Sequence, residues 1–342
     1  MADVLLTRQS VIFAKTETTY GTDIFSGTVA ATDAILSTIP EFSFDVETYE
    51  RNLARESLSP LAPRVTNVNC ALSFSCELRG SGAAGTAPEI GDLLEACGFV
   101  EEIKSSNSVA YSPDSTSGST NSSCTIYMYQ GDPGQLKKIT GCIGNVSFSV
   151  EQGGIGVANF EFQGKYDGEA SYVRNQPIPD ATYDTTLPPI AQNIGFSYGT
   201  ESSALDINAI ELNMNNEVQN VKSMNNAGKT ATNFYLSGRA PTGSFNPLIE
   251  NGAPSEFVIE NLENSTAKQI QFNLGATAGN IVEFFMGGTY DASTGNVANK
   301  DAVTLTNIGF EDSDGLARYN CEFALSSSFA ELTGDEVVIK YT

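Results

Sequence analysis

Several residue groups in this chain have types and spacings that could do chemistry. Gly80-Ser-Gly82-Ala-Ala-Gly85 fits GxGxxG, the spacing in which backbone amides at a strand-to-helix turn cradle a pyrophosphate. Glu101 and Glu102 follow about 20 residues on, where a ribose ligand would stand. Three features oppose a dinucleotide site. The strand before it alternates polar and apolar, whereas a central parallel strand is buried on both faces. The helix start signal falls after the last glycine, although the helix must begin inside the motif for its amides to meet phosphate. No second parallel strand follows Gly98. A loop linking strand to helix is the plainer reading.

Glu311-Asp-Ser-Asp-Gly315 sets carboxylates before a glycine, as calcium loops do. In EF-hand register, however, the first and twelfth positions would be Phe310 and Cys321, whose side chains cannot ligate calcium as that pattern requires. Asp-Gly is also a strong hairpin signal, so a turn is expected. Glu151, Glu161, Asp167, Glu169, Glu201 and Asp206 could be posed as glycosidase pairs. No spacing marks a pair, there is no Trp to stack on sugar, and 41 acids create such pairs by chance.

The six cysteines lie at 70, 76, 97, 124, 142 and 321. None forms CxxC, so neither a zinc knuckle nor a redox pair is indicated. Cys70 and Cys76 would share one strand face about 20 Å apart, too far to bridge. Buried thiols acting as small apolar groups are expected. The chain has no His, which removes Ser-His-Asp and Cys-His catalysis and imidazole metal sites. No catalytic residue, cofactor or metal ligand is assigned.

The elements that would carry these groups are mostly strands. The chain has 342 residues, 40% of them apolar, with 19 Phe and 13 Tyr, enough for a core and for roughly two domains. Residues 70–78 put Cys70, Leu72, Phe74, Cys76 and Leu78 on one face, the mark of a half-buried antiparallel strand. Residues 125–129 read likewise. Residues 145–166 read as a hairpin whose register slips near Asn159, a possible bulge. Strands are expected at 207–214, 231–238, 256–260, 268–274, 281–286, 303–310, 316–325 and 336–341. One helix is expected at about 87–97. Thr86 to Glu89 reads as a capping box, Ile90, Leu93, Leu94 and Cys97 as a stripe, and Gly98 as a left-handed cap.

Between these elements lie an arm at 1–38, a long charged loop at 45–69, a Ser-rich stretch at 105–123 and a Pro-rich linker at 176–190. The linker divides a first β domain (39–175) from a second (191–342). The halves read as copies. Thr140 to Val150 followed by Glu151 to Phe162, and Leu305 to Phe310 followed by Glu311 to Phe323, both read as strand, acidic Gly turn, strand, and both come late in their half. Two such long repeats indicate a duplicated domain. The second copy shows no clear equivalent of helix 87–97, with only Asn246 to Gly252 in its place.

With 18 basic and 41 acidic residues the net charge is -23. That argues against gripping nucleic acid, whose affinity comes from Lys and Arg on phosphates, and against an anionic membrane surface. The first residues lack the charged and apolar regions of a signal peptide, and no apolar run of about 18 residues exists. A cytoplasmic origin is expected, and sequons such as Asn264-Ser-Thr266 are not expected to be glycosylated. Tyr49, Arg51, Arg55 and Arg64 lie together in the charged loop. Arg and Tyr suit subunit interfaces, and a merely solvated loop is the alternative.

The chain resembles bacteriophage tail tube proteins of the long-tailed kind. In the first half the resemblance rests on Ala14-Lys-Thr-Glu-Thr-Thr-Tyr-Gly-Thr-Asp23, Arg51 to Pro60, Leu78 to Glu89, Leu93 to Phe99 and Gly144 to Val150. In the second it rests on Glu211 to Val218 and Ser237 to Gly243. It implies a mainly β fold: two tandem tail-tube-like sandwich or barrel domains, a short flanking helix, a long loop and an N-terminal arm. It implies a non-enzymatic structural protein whose rings stack around a channel for DNA. Loop residues Tyr49, Arg51, Arg55 and Arg64, with Tyr20 of the arm, become candidates for contact between subunits or rings. Glu151 and Glu161 become candidates for an acidic lumen that DNA passes without specific binding. The implied partners are further copies of the chain and tape-measure, tail tip and tail terminator proteins. Two copies per chain would make a trimer a pseudo-six-fold ring, a hexamer being the alternative. The implied location is the virion tail, assembled in the host cytoplasm. From a different class, a soluble β-sandwich that binds carbohydrate or acts in adhesion fits the same strand pattern.

Overall fold

The computed structural model describes residues 5–115, 122–166, 168–199, 201–202, 205–225, 230–250, 253–313, 315–327 and 334–342. Residues 1–4 of the arm, 116–121 of the Ser-rich stretch, Asp167 and Asp314 lie outside them, as do the side chains of Glu169 and Glu201.

The chain opens with β1 (Ser10–Thr16), the short β2 (Ala34–Ile35) and the long pair β3 (Glu41–Tyr49) and β4 (Arg64–Glu77). Helix α1 (Gly91–Ala96) leads to β5 (Phe99–Lys104), β6 (Ser108–Pro113), β7 (Cys124–Gly131), β8 (Gly134–Glu151), β9 (Val157–Lys165) and β10 (Tyr172–Gln176). Then come β11 (Ser197–Tyr198), β12 (Glu201–Ser202), β13 (Ile207–Asn213), β14 (Asn216–Val221), β15 (Asn233–Arg239) and β16 (Thr242–Pro247). Helix α2 (Ala253–Glu263) precedes β17 (Ile270–Leu274), β18 (Val282–Met286), β19 (Gly288–Asp291), β20 (Asn296–Asn299), β21 (Val303–Ser313), β22 (Leu316–Leu325) and β23 (Val337–Tyr341). The fold is mainly β, with antiparallel sheets.

Within a twelve-stranded sheet, eight strands run continuously in the order β3-β4-β9-β8-β13-β16-β22-β21. The order β3-β4-β9-β8 in the first half recurs as β13-β16-β22-β21 in the second. The two quartets meet where β8 pairs with β13, from Ala209 opposite Glu151 to Asn213 opposite Ser147. Strand β8 is long enough for two partners. Its first part pairs with β7. A register shift between Thr140 and Ile143, with Gly141 at φ +61°, then swings it onto β9, a backbone conformation that favours glycine.

A second sheet runs β12-β11-β17-β18-β23-β6-β5. The last strand of the chain, β23, lies between β18 of its own half and β6 of the other. The two sheets face each other across one core. Phe148 of β8 meets Phe284 of β18 at 5.3 Å between ring centroids, and Tyr198 of β11 meets Phe245 of β16 at 5.6 Å. Alternation drives this burial. Val146, Phe148 and Val150 point inward while Asn145, Ser147 and Ser149 do not. Each large apolar side chain so buried contributes about 1.5–3 kcal/mol.

Four local expectations change. Helix α1 begins only at Gly91, because the Thr86–Glu89 capping box does not form. Glu89 instead pairs with the buried Arg79 and accepts the Leu36 N–H at 2.8 Å. A second helix, α2, replaces the strand expected at 256–260. Val258, Asn261 and Leu262 turn inward at helical spacing, which the short β-branched run around Val258 hides. No bulge occurs at Asn159, since β9 buries its small Ala158 and leaves Val157 half-exposed. The charged loop is shorter than 45–69, because pairing of β3 with β4 continues out to Tyr49 and Arg64.

Candidate assembly surface

The face of the eight-stranded sheet turned away from the core is mostly polar, with Ile143 and the half-exposed Val157 among its apolar exceptions. One row of it crosses the first quartet as Glu41, Ser73, Glu161 and Asn145, each directly opposite the next. The second quartet repeats the row type for type: Glu211, Ser244, Glu322 and Asn307. All four glutamates are exposed. Glu161 therefore has a counterpart in Glu322, and Glu151, also exposed, lies on the same face at the end of β8. The basic groups Lys165 and Arg318 on this face are engaged within the chain. Lys165 lies 4.4 Å from the Tyr20 ring centroid, and Arg318 Nη1 donates to the carbonyls of Asn246 and Asp206. A trough of about 540 Å³ runs along the face between Ser147, Ser149, Glu211, Ser244 and Glu322.

The two edges of this sheet differ from its middle. At the β8–β13 junction Phe148 is 3% exposed and Met214, just past β13, is 1% exposed. By the register that aligns the quartets, the counterpart of Phe148 is Phe310 on β21, 75% exposed. The counterpart of Met214 is Phe44 on β3, 46% exposed. Both free edges thus carry bare apolar groups where the internal junction has buried ones.

The hairpins above the sheet also differ. In the second half β14 and β15 fold back at Asn215, whose φ is +49°. They lie over the first half, where Phe234, Ala231 and Ile143 form a small cluster with Tyr20, Val218 and Leu236. The Phe234 N–H donates to Tyr20 Oη at 2.6 Å, the Ala231 N–H to Asn69 Oδ1 at 3.0 Å, and Asn216 Nδ2 to the Cys97 carbonyl at 2.7 Å. Tyr20 is thereby held within the chain, and burial pushes its hydroxyl pKa well up. The matching β3–β4 extension stays paired out to Tyr49 and Arg64, with a register shift between Glu47 and Thr48. Tyr49, Arg51, Arg55 and Arg64 are exposed on it, with Val46, Leu53, Leu58 and Val65. Within the loop Arg55 donates to the Ser59 carbonyl, and Glu47 pairs with Lys222 of the other hairpin loop at 2.5 Å.

The remaining groups have structural places. The Gly80–Gly85 loop packs on the second half. The Gly80 N–H donates to Asn280 Oδ1 and the Gly82 N–H to the Gly279 carbonyl, each at 2.9 Å. A Cβ at Gly80 would stand 2.1 Å from the Gly279 oxygen. The motif supplies close backbone approach, and α1 starts beyond it. Gly315 turns the β21–β22 hairpin at φ +83°, its N–H donating to Asp312 Oδ1 at 2.8 Å. All six cysteines are buried and unbridged. Among the described residues no helix is long and apolar enough to cross a membrane.

Sequence reasoning named Glu161 and Glu151 as lumen candidates without Glu41, Glu211 and Glu322, and it missed the edge residues Phe42, Phe44 and Phe310. The signal for Phe310 was present in the Asn-x-x-Phe match between residues 145–148 and 307–310. Among curated proteins, none matches the chain. A family model described as phage tail tube protein matches residues 7–317. With nearly the whole chain covered, and a mainly β architecture to carry it, the protein belongs to the phage tail tube protein family.

Proposed function

We propose that this chain is the structural unit of a tail tube wall. It carries two copies of one wall domain, and three chains make a pseudo-six-fold ring. One observation supports this most directly. The edge positions Phe310 and Phe44 are bare, while their counterparts Phe148 and Met214 are buried where the two halves of the chain join. A second copy of the chain, bringing its β3 against β21 as β13 lies against β8, would cover both.

Closing the ring in this way turns the polar face inward. Three chains would then line that face with twelve carboxylates, from Glu41, Glu161, Glu211 and Glu322 of each. An acidic, hydroxyl- and amide-rich wall repels phosphate and leaves no cationic sticking point. Rings stack through the β3–β4 extension. Its counterpart already has a seat on Ile143 and Tyr20 within the chain, whereas the place matching Ile143 in the second half, by its pairing with β22, is the half-buried Thr304, which offers no apolar seat. The extension, with Tyr49, Arg51, Arg55 and Arg64, is therefore directed along the tube to the next ring. Contacts that repeat without closing build a filament. The role is structural and not catalytic, in the virion tail, after assembly in the host cytoplasm. Tape-measure, tip and terminator proteins are its other partners, and DNA passes through.

Electron microscopy of concentrated protein tests this reading. Hollow tubes or rings of three chains are expected. Rings of six chains would overturn the stoichiometry, and a monomer at every concentration would overturn the tube.

A further inference from the structure

The start of the fold is fastened to α1 through one hydroxyl. Thr16 Oγ1, at the end of β1, lies 2.6 Å from Asp92 Oδ1 and 2.8 Å from Glu95 Oε2. A threonine hydroxyl has one hydrogen to give and can otherwise only accept. It satisfies one carboxylate. The second oxygen, at hydrogen-bond distance from the same atom, has nothing to receive unless it carries a hydrogen itself. Two ionised carboxylates there would also repel each other in a half-buried place.

We infer that Asp92 and Glu95 hold one proton between them through the Thr16 hydroxyl, so that docking of the first strand on α1 is linked to proton uptake. The surroundings favour this. From β5, Glu101 faces the start of α1 and accepts the Tyr111 hydroxyl at 2.5 Å. β7 and β8 contribute the thiols Cys124 and Cys142. The nearest cation on β1, Lys15, is paired with Asp33 at 3.2 Å. Arg79, before the helix, is paired with Glu89. Among the described residues no Lys or Arg pairs with Asp92 or Glu95. Glu95 is the better holder of the proton: burial pushes its carboxyl pKa up, the Thr16 hydrogen bond opposes this in part, and Asp92 and Glu101 add to the rise.

A carboxyl raised in the folded state gives stability that is present at low pH and lost as pH rises through its folded value. The inference does not depend on the tube reading and is tested on the full-length, unassembled chain. Denaturant unfolding is followed from the ordinary carboxylate range up to neutrality for the wild type and for Glu95→Gln, which keeps a donor without a titration. The wild-type folding constant should fall with rising pH, by up to about tenfold per pH unit for one proton, and Glu95→Gln should lose that slope. A carboxyl-carbon NMR titration of the wild type serves even if the variant does not fold. There, one of the two carboxyls should remain protonated above the ordinary range. Superimposable slopes, or both carboxyls titrating at ordinary values, would overturn the inference.

Discussion

Phe148 and Phe310 occupy the same place in the two matching quartets, yet one is sealed between sheets and the other stands 75% exposed. The contrast yields opposite expectations for the two sites. Phe148→Ala should cost about 3–5 kcal/mol, as large-to-small core changes do. Phe310→Glu should leave the monomer's thermal melt within about 0.5 kcal/mol of wild type, as exposed changes do, while abolishing rings. Circular dichroism and sedimentation separate the two effects.

The register of the internal junction makes a sharper prediction. Leu212 lies opposite Phe148, so Phe42 of one copy should lie opposite Phe310 of the next. A Phe42→Cys, Phe310→Cys double variant should cross-link between chains on mild oxidation, because the six natural thiols are buried. A non-reducing gel should show a ladder that ends at three chains. A ladder reaching six would support the hexamer, and no cross-link would remove this seam.

Arg51 and Arg55 sit in the loop of the β3–β4 extension, outside the core. Reversing both to Glu should block stacking of rings and leave the fold intact. Isolated rings in micrographs, with an unchanged circular dichroism spectrum, are the expected result. Unfolding of the monomer would contradict it.

The lumen assignment is tested by charge reversal at the matched pair. Tubes carrying Glu161→Lys and Glu322→Lys should retain double-stranded DNA in a salt-dependent manner, since added cations on phosphate bring counterion release. Wild-type tubes should retain none. Equal retention by both would place these residues away from the channel.

Buried thiols set an alkaline limit on the fold. Burial pushes Cys70 and Cys321 up to about 12. Their contribution is complete below the unfolded thiol value of about 8.5 and is lost as pH climbs toward the folded one. The urea midpoint should therefore hold near neutrality and decline above about pH 9. Cys70→Ala with Cys321→Ala should flatten that decline.

Much of this was legible in the sequence, for physical reasons that differ by element. Period-two alternation fixed the faces of residues 70–78 and 145–162, because burying one face of a sheet leaves a repeat of two. The strand, acidic Gly turn, strand pattern late in each half already set residues 140–162 beside 305–323, without pairing Glu161 with Glu322. Helix α2 was hidden, because a short β-branched run reads as a strand until Val258, Asn261 and Leu262 are seen to face one way. The Thr86–Glu89 box had the right spacing, but Arg79, buried seven residues earlier, claimed the glutamate. The bend at Asn215 that sends β14–β15 over Tyr20 left no pattern, since that hairpin is held by contacts far along the chain. Exposure of Phe44 and Phe310 was invisible for a similar reason: an apolar residue in a strand looks the same whether its cover is internal or a separate molecule.

The β8–β13 junction has a kinetic meaning as well. In a ring of three chains, half of the six seams exist before any two molecules meet, made by the covalent link between the halves. Only three must be won from dilute solution, each at the cost of lost translational and rotational freedom. The linked pair meets at an effective concentration that free domains reach only at very high levels. In the proposed duplication, fusion would also free the two copies to diverge, so that the β14–β15 hairpin settles on its own chain while the β3–β4 extension is left for the next ring.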